Sequence, residues 1–363
     1  MTIERRTAIV HDWFQGYHGA ERVVETMRSG LFAPGNGPDV FTFHAAKDLL
    51  PPELAASIRK ESRLARLPGL RQRGHDPGRW RLLVPAMPRY FSRLDLDEYD
   101  LVISSSHAFA VQARPREDAA HICYCYTPIR YAWMPETDAR ARAFRGRLRR
   151  IDLAASRRPD AYVAISAAVQ QRIQRFYGRD STVAHPPVDV GDFDPHGERE
   201  PGQFVWAHRL VTYKNPAAVV EAFRGEPYRL SMIGVGPLEA ELRASLPENV
   251  ELEGWLAREE LARRYERATG FIHVGEEDFG ITMVEALAAG TPVIALDRGG
   301  ARDIVRPGED GLLVPDARPD TIRRAVRELA GRDWDRDALA ARAAEFSRER
   351  FLERMLAVVE GVR

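Results

Sequence analysis

The stretch 271–300, FIHVGEEDFGITMVEALAAGTPVIALDRGG, decides the fold. It opens on a short apolar strand, Phe271 to Val274, and turns through acidic, aromatic and glycine residues from Glu276 to Gly280. A helix carrying Glu285 follows, and then a second apolar strand, Pro292 to Leu296. A strand C-terminus feeding a helix N-terminus is where open α/β sheets bind ligands, because backbone N–H groups and the helix dipole converge there. Glu277 and Glu285 lie eight residues apart, one in the turn and one within the first turns of the helix. Acids at such a spacing are commonly just solvated. Here the helix is apolar on nearly every side (Met283, Val284, Ala286, Leu287, Ala288, Ala289), so it is expected to be buried. A carboxylate buried on it needs a partner, none of its helix neighbours is basic, and a ligand hydroxyl is one candidate. Gly275 and Gly280 bracket the acids, and Gly280 allows close approach to the backbone. A ligand with both phosphate and hydroxyls, such as a nucleotide sugar, fits this arrangement.

Working outward, apolar runs bounded by turn signals recur at Thr7 to Val10, Val40 to Phe43, Leu101 to Ser104, His121 to Cys125, Tyr162 to Ile165 and Thr182 to His185. Helical patterns lie between several of them, which predicts a parallel, doubly wound sheet. The segment PVDVGDFDPHGEREPGQ, 187–203, is rich in Pro, Gly and charge and reads as a linker. A second alternation begins after it: FVWAH, a helix near Ala217 to Phe223, RLSMIG, a helix from Pro237, VELEG, a helix from Arg258, then the opening stretch. Two Rossmann-like domains are expected, 1–198 and 199–340, with a helical end, 341–363, packing back across the first. The whole final helical pattern runs from Asp337 to Val362.

Composition excludes several classes. At 363 residues, with 44% hydrophobic and 29% charged residues, the chain reads as two folded domains and not as disorder. The 53 basic and 53 acidic residues balance, so no global field recruits nucleic acid. Lysine occurs only at Lys47, Lys60 and Lys214. Cys123 and Cys125, one residue apart on an expected strand, suit neither a disulfide nor a metal site and read as packed thiols of a cytoplasmic protein. The apolar run of the N-terminus is too short for a signal peptide, and no run of about 18 apolar residues occurs. The protein is expected to be soluble or peripheral to a membrane.

Other segments carry candidate chemistry. Arg209 and Lys214 follow the strand FVWAH and precede a helix with Pro216 in its first turn. Cations at such a turn suit a diphosphate, Arg as a planar fork and Lys as a point charge, with ordinary surface charge as the alternative. GVGPLE, 234–239, matches only the first two glycines of a dinucleotide fingerprint and reads as a tight βα turn. In the first half, HDWFQGYHGAERVV offers Gly16 and Gly19 at a turn opening a helix, an anion-site wall or a plain loop. His107, in SSSHAF, and Tyr126-Thr127, followed by Arg130, end expected strands and are candidate polar contacts. Asp95-Leu96-Asp97 resembles a metal-binding triplet but precedes a strand, so it reads as a solvated turn and no metal site is expected. RARAFRGRLRRIDLAASRR, 140–158, holds eight arginines against one aspartate. It reads as a solvated helix face, with peripheral contact to anionic lipid as the alternative.

With these residues placed, the chain resembles the retaining glycosyltransferases of family 4. Their architecture, termed GT-B, has two Rossmann-like doubly wound α/β domains facing across a cleft. The resemblance runs nearly the whole length. Its most specific part is Glu277 and Glu285 in EEDFGITMVEALAAGTPVIA, joined by RLVTYKN with Arg209 and Lys214. HDW…GAERVV, SSSHA, YTPIRYAW and HPPVD resemble a bacterial branch of O-antigen mannosyltransferases similar to WbaZ.

The resemblance implies that Glu277 holds donor-sugar hydroxyls, with Asp278, the amides of Phe279 and Gly280, and Ile281 nearby. Glu285 would bind the ribose, and Trp255 and Leu256 would lie near the base. Gly16, Gly19 and Gly236 would also belong to the donor side, and His18, His107, Tyr126 and Arg130 to the acceptor or sugar side. Arg209 and Lys214 would neutralise the diphosphate leaving group without a metal or other cofactor, in a front-face reaction whose departing phosphate takes the acceptor's proton. Two positions depart from the branch: Tyr126 stands where histidine is usual, and His18-Gly19 where two glycines are usual. Both fit an unusual donor. The implied partners are a nucleotide sugar, GDP- or UDP-linked, and a small-molecule, glycan or lipid-linked acceptor. Rival readings fare less well. An epimerase or phosphorylase would want catalytic carboxylates or a cofactor lysine, a non-catalytic binder should have lost Glu277 or Lys214, and a nicotinamide dehydrogenase fails on GVGPLE.

Overall fold

A computed structural model describes residues 2–33, 35–67, 79–134 and 145–362. Two parallel sheets organise them. The first joins β1 (Thr7–His11), β2 (Asp39–Thr42), β3 (Ile58–Glu61), β4 (Leu101–Ser106), β5 (Ala120–Cys125), β6 (Ala161–Ala164) and β7 (Thr182–Val183) in the order β3-β2-β1-β4-β5-β6-β7. The second joins β8 (Gln203–Ala207), β9 (Arg229–Ile233), β10 (Val250–Gly254), β11 (Gly270–His273), β12 (Val293–Leu296) and β13 (Gly311–Val314) in the order β10-β9-β8-β11-β12-β13.

Parallel strands covered on both faces read as continuous apolar runs, and β1, β4 and β5 are buried at every position. The expected strands appear with ends shifted by a residue or two. β7 is the shortest, because Pro186 and Pro187 have no N–H to extend the ladder. Aromatic residues fill both cores: Phe43, Phe91, Tyr99 and Phe109 in the first, Phe204, Trp206 and Phe223 in the second.

Contacts divide the chain into two compact units. One holds the residues up to Pro187 together with those from Glu349 onward, the other Val188–Arg348. The helical pattern from Asp337 to Val362 is two helices, Arg336–Ala344 and Arg348–Gly361. They are separated where Phe346 accepts a backbone hydrogen bond from Val188 at 3.0 Å. In the first unit Phe351 of the last helix packs edge-on against Tyr124, ring centres 5.7 Å apart.

Asp95 and Asp97 are exposed around a buried Leu96, the solvated turn expected of them. Of the arginine-rich stretch, 140–144 lie outside the described residues. The rest forms the helix Arg145–Ala155 and the turn after it, where Asp152 and Ala155 are buried and Arg149 donates to the Ala132 carbonyl at 2.8 Å. Among the described residues no helix is long and apolar enough to cross a membrane.

Candidate functional site

Each sheet has one place where the winding reverses: between β1 and β4 in the first, between β8 and β11 in the second. Open α/β sheets bind ligands beyond the carboxyl ends of their strands at this point. Nearly every candidate residue falls at one of these two places or in the loops beside it.

In the second unit, Lys214 ends a single 3-10 turn, Thr212–Lys214, after β8. It is buried, and its ammonium pairs with the Glu277 carboxylate in the loop after β11. Asn215 adds a second bridge, donating from Nδ2 to the Val274 carbonyl at 2.7 Å. Gly275 makes room for this crossing, since a Cβ there would lie 2.9 Å from Lys214 Cδ. The loop 276–280 is clamped from its far side: the Gly300 amide donates to the Glu277 carbonyl at 2.9 Å, and a Cβ on Gly299 or Gly300 would overlap the backbone of Glu277 or Phe279. The close approach therefore requires the two glycines that end the opening stretch.

Gly280 is the N-cap of the Ile281–Ala288 helix at φ +106°, and having no side chain it leaves the first turn without a side-chain cap. Beneath the ion pair, His273 ends β11 and stacks edge-on with His208, ring centres 4.5 Å apart. Burial pushes the His273 pKa down to about 4, Glu277 raising it and Lys214 lowering it further, so the imidazole is neutral. His208 is driven well below the ordinary value by burial first, then by Lys214 and His273.

Glu285 is buried on its helix as expected, but its partner is in the protein. Arg258, at the start of the Arg258–Arg267 helix, reaches Glu285 Oε1 at 3.4 Å and Asp192 Oδ2 at 2.7 Å. This cation comes from a different helix, so the residues around Glu285 in the sequence do not announce it. Arg209 is exposed, and its side chain makes no hydrogen bond or ion pair with another described residue. Trp255, 75% exposed, and half-buried Leu256 follow β10.

Gly236 is explained by packing. A Cβ there would overlap the Leu210 backbone, and Leu210 and Val235 are joined by a backbone hydrogen bond of 3.1 Å. GVGPLE is thus a tight turn, as expected, with its glycines turned toward the neighbouring loop. Asp278 and Ile281 are half-buried beside Glu277, and Phe279 packs on Phe346 at 5.7 Å.

In the first unit the switch point is crossed differently. Asp12, wholly buried after β1, accepts backbone N–H bonds from His107, Ala108, Phe109 and Ala110 at 2.7, 2.9, 2.5 and 2.7 Å. Nothing local in the sequence marks Asp12 for this, because its partners lie some 95 residues away. Around it runs a chain of hydroxyl and imidazole groups. His11 Nδ1 meets Ser105 Oγ at 3.0 Å, Ser105 Oγ meets the Tyr126 hydroxyl at 3.0 Å, and Tyr126 donates to the Ala20 carbonyl at 3.1 Å. The Tyr126 and His107 rings stand 6.0 Å apart.

Exposed His18 caps the Gly19–Gly30 helix, and its amide donates to the Glu21 carboxylate at 3.1 Å. Burial pushes the Glu21 pKa up to about 7, against hydrogen bonds from backbone amides including that of His18. Gly16 is buried under His18, whose Nε2 would lie 2.9 Å from a Cβ at that position. Arg130 is exposed at the start of a single helical turn, Arg130–Trp133.

Two Rossmann-like units with these parallel sheets define the GT-B class of fold. The crystal structure of the Anabaena protein HepE with UDP has the same fold: TM-score 0.72 at 16% identity, over 98% of this chain and 100% of that one. The family model Glycosyltransferase Family 4 matches residues 17–192, and Glycosyl transferases group 1 matches residues 192–348. The chain belongs to the family-4 glycosyltransferases.

Among curated relatives, a GDP-mannose-dependent alpha-mannosyltransferase of Mycobacterium tuberculosis is 33% identical over 177 residues, 44% of this chain and 45% of that protein. A D-inositol 3-phosphate glycosyltransferase of a Nocardioides species is 30% identical over 228 residues, 52% and 50% respectively. The chain thus spans about half the length of these curated relatives.

Proposed function

We propose that the protein is a retaining, metal-independent glycosyltransferase moving a sugar from a nucleoside-diphosphate sugar, a GDP-sugar by preference, to a hydroxyl-bearing acceptor. The observation that carries this reading is the Lys214–Glu277 pair across the β8/β11 switch point, beside a helix start with no side-chain cap. A diphosphate there meets Lys214 as a buried point charge and Arg209 as a planar fork. Lys214 exchanges Glu277 for phosphate, and Glu277 turns to the sugar hydroxyls. Glu285 takes the ribose hydroxyls in competition with Arg258, and the base lies near Trp255 and Leu256. The two cations stabilise the charge on the leaving group, and the departing phosphate takes the acceptor's proton.

GDP is preferred because a curated relative is named as GDP-mannose-dependent, and the segments YTPIRYAW and HPPVD favour the WbaZ-like branch. HepE, crystallised with UDP, keeps UDP as the second donor to test. His18, Tyr126 and Arg130 form the sugar or acceptor side. A lipid-linked acceptor would bring the arginine-rich stretch 140–158 to an anionic membrane, a role that failure to sediment with anionic vesicles at low salt would remove.

A thermal-shift panel of GDP, UDP, ADP and dTDP tests the donor site. A ligand at 100 times its dissociation constant stabilises by about 2.7 kcal/mol. GDP is expected to give the largest rise in Tm, and no rise with any of the four would sink the reading. Transfer should survive chelation by EDTA. Loss on chelation with recovery on added Mg2+ would remove metal independence.

A further inference from the structure

In the first unit the group to explain is the buried anion. Asp12 is 0% exposed, and no cation is paired with it among the described residues. A carboxylate offers about four lone-pair directions. The amides of residues 107–110 take all four, which fixes the segment leaving β4 as it comes off the sheet.

The same segment carries His107, whose Nδ1 lies 3.5 Å from Asp12 Oδ2. At that distance, with the carboxylate already saturated, the contact is electrostatic. An N–H turned toward the anion is attracted, whereas a lone pair turned toward it is repelled. Where water is excluded such a difference selects the tautomer of a neutral imidazole. The ring cannot readily turn over to escape the choice. Trp13 stands edge-on to it at 4.4 Å, His11 at 5.8 Å and Tyr126 at 6.0 Å.

Burial lowers the His107 pKa, Arg130 lowers it further and Asp12 opposes both, so the ring is neutral at pH 7. Its side chain is nevertheless 27% exposed at the carboxyl end of β4. With Nδ1 committed to Asp12, Nε2 is the nitrogen left for a ligand.

We propose that Asp12 is a positioning residue that holds His107 as the Nδ1-protonated imidazole, so that Nε2 accepts a hydrogen bond from the acceptor's hydroxyl. This rests on the reading of the chain as a transferase to a hydroxyl. It gives the first unit a specific task, orienting that hydroxyl before attack, while the proton still leaves with the departing phosphate. Asp12 acts only through His107 and the backbone.

Nitrogen-15 NMR of the full chain labelled at histidine tests the assignment at pH 7, the His107 signals being identified by their loss in His107→Gln. Nδ1 should show the shift of a protonated ring nitrogen and Nε2 that of an unprotonated one. Asp12→Asn should move His107 toward the opposite tautomer. A wild-type His107 protonated at Nε2, or at both nitrogens, overturns the proposal, as does a tautomer unchanged in a folded Asp12→Asn. If that variant does not fold, the wild-type spectrum alone decides. GDP affinity measured on the same wild-type and His107→Gln samples separates the two readings. Absence of GDP binding by the wild-type chain counts against the donor site, whereas the predicted tautomer with GDP affinity unchanged in His107→Gln supports the role assigned to Asp12.

Discussion

The two units carry the same topological feature and close it in opposite ways. Beyond β1 and β4 the crossing is made by the Asp12 carboxylate, which spends its hydrogen bonds on the backbone of 107–110. Beyond β8 and β11 the crossing is made by two side chains, Lys214 and Glu277, beside a helix whose first turn has no side-chain cap. The first arrangement puts an internal anion where an external one would sit, so it repels phosphate and leaves an imidazole at the rim. In the proposed reaction the second is a pair that a diphosphate would divide, phosphate replacing the carboxylate on lysine and the freed carboxylate turning to sugar hydroxyls. On the proposed reading a single fold presents one switch point to a neutral hydroxyl and the other to an anion.

The largest expected effect comes from breaking the first crossing. Asp12→Ala leaves four N–H groups, three of them buried, without an acceptor, at ~1–3 kcal/mol for each buried one and not additively, so unfolding free energy should fall by more than about 3 kcal/mol. Urea denaturation reads this, and a loss under about 1 kcal/mol would mean that the carboxylate does not hold the segment.

Breaking the second crossing should act on binding more than on folding. Lys214→Ala removes a charge-assisted contact worth about 1.5–3 kcal/mol, roughly 10- to 150-fold in nucleoside-diphosphate affinity. Calorimetry showing unchanged affinity would place the diphosphate elsewhere. Arg258→Ala sharpens the same point from the ribose side. It leaves Glu285 buried without its cation, so folding should weaken while any nucleotide that satisfies Glu285 restores more stability than it does in the wild type. Equal ligand-induced shifts in the two proteins would remove Glu285 from the ribose.

The remaining effect depends on pH. The Glu21 carboxyl, raised to about 7 by burial against an ordinary 4.5, binds more protons folded than unfolded between those values. Stability from this group therefore falls as pH rises through that window. Glu21→Gln should match the wild type near pH 4.5 and gain on it up to pH 7 and above, by at most about 3 kcal/mol. Parallel stability curves for the two proteins would contradict the assignment.

What the sequence made legible was local. The strands of both sheets other than β3 and β13, the paired acids and the Arg209–Lys214 turn are written in runs of a few residues, where apolar periodicity and charge at a strand end carry the signal. What it concealed was the partner across the fold. Asp12 meets residues beyond position 106, and Arg258 meets Glu285 from another helix. His208 and His273 stack only once β8 and β11 become neighbours. The glycines divide the same way. Gly280 follows from its place at a helix start, but the packing need for Gly236 shows only when Leu210 is seen filling the space a side chain would take.

Hydrogen exchange of the full chain with and without saturating GDP compares the two switch points in one experiment. Slowed exchange in the loop 276–280 and the first turn of the following helix, with 107–110 unchanged, is the expected result. Slowing confined to 107–110, or none in either segment, would contradict the assignment of the anion site to the second unit.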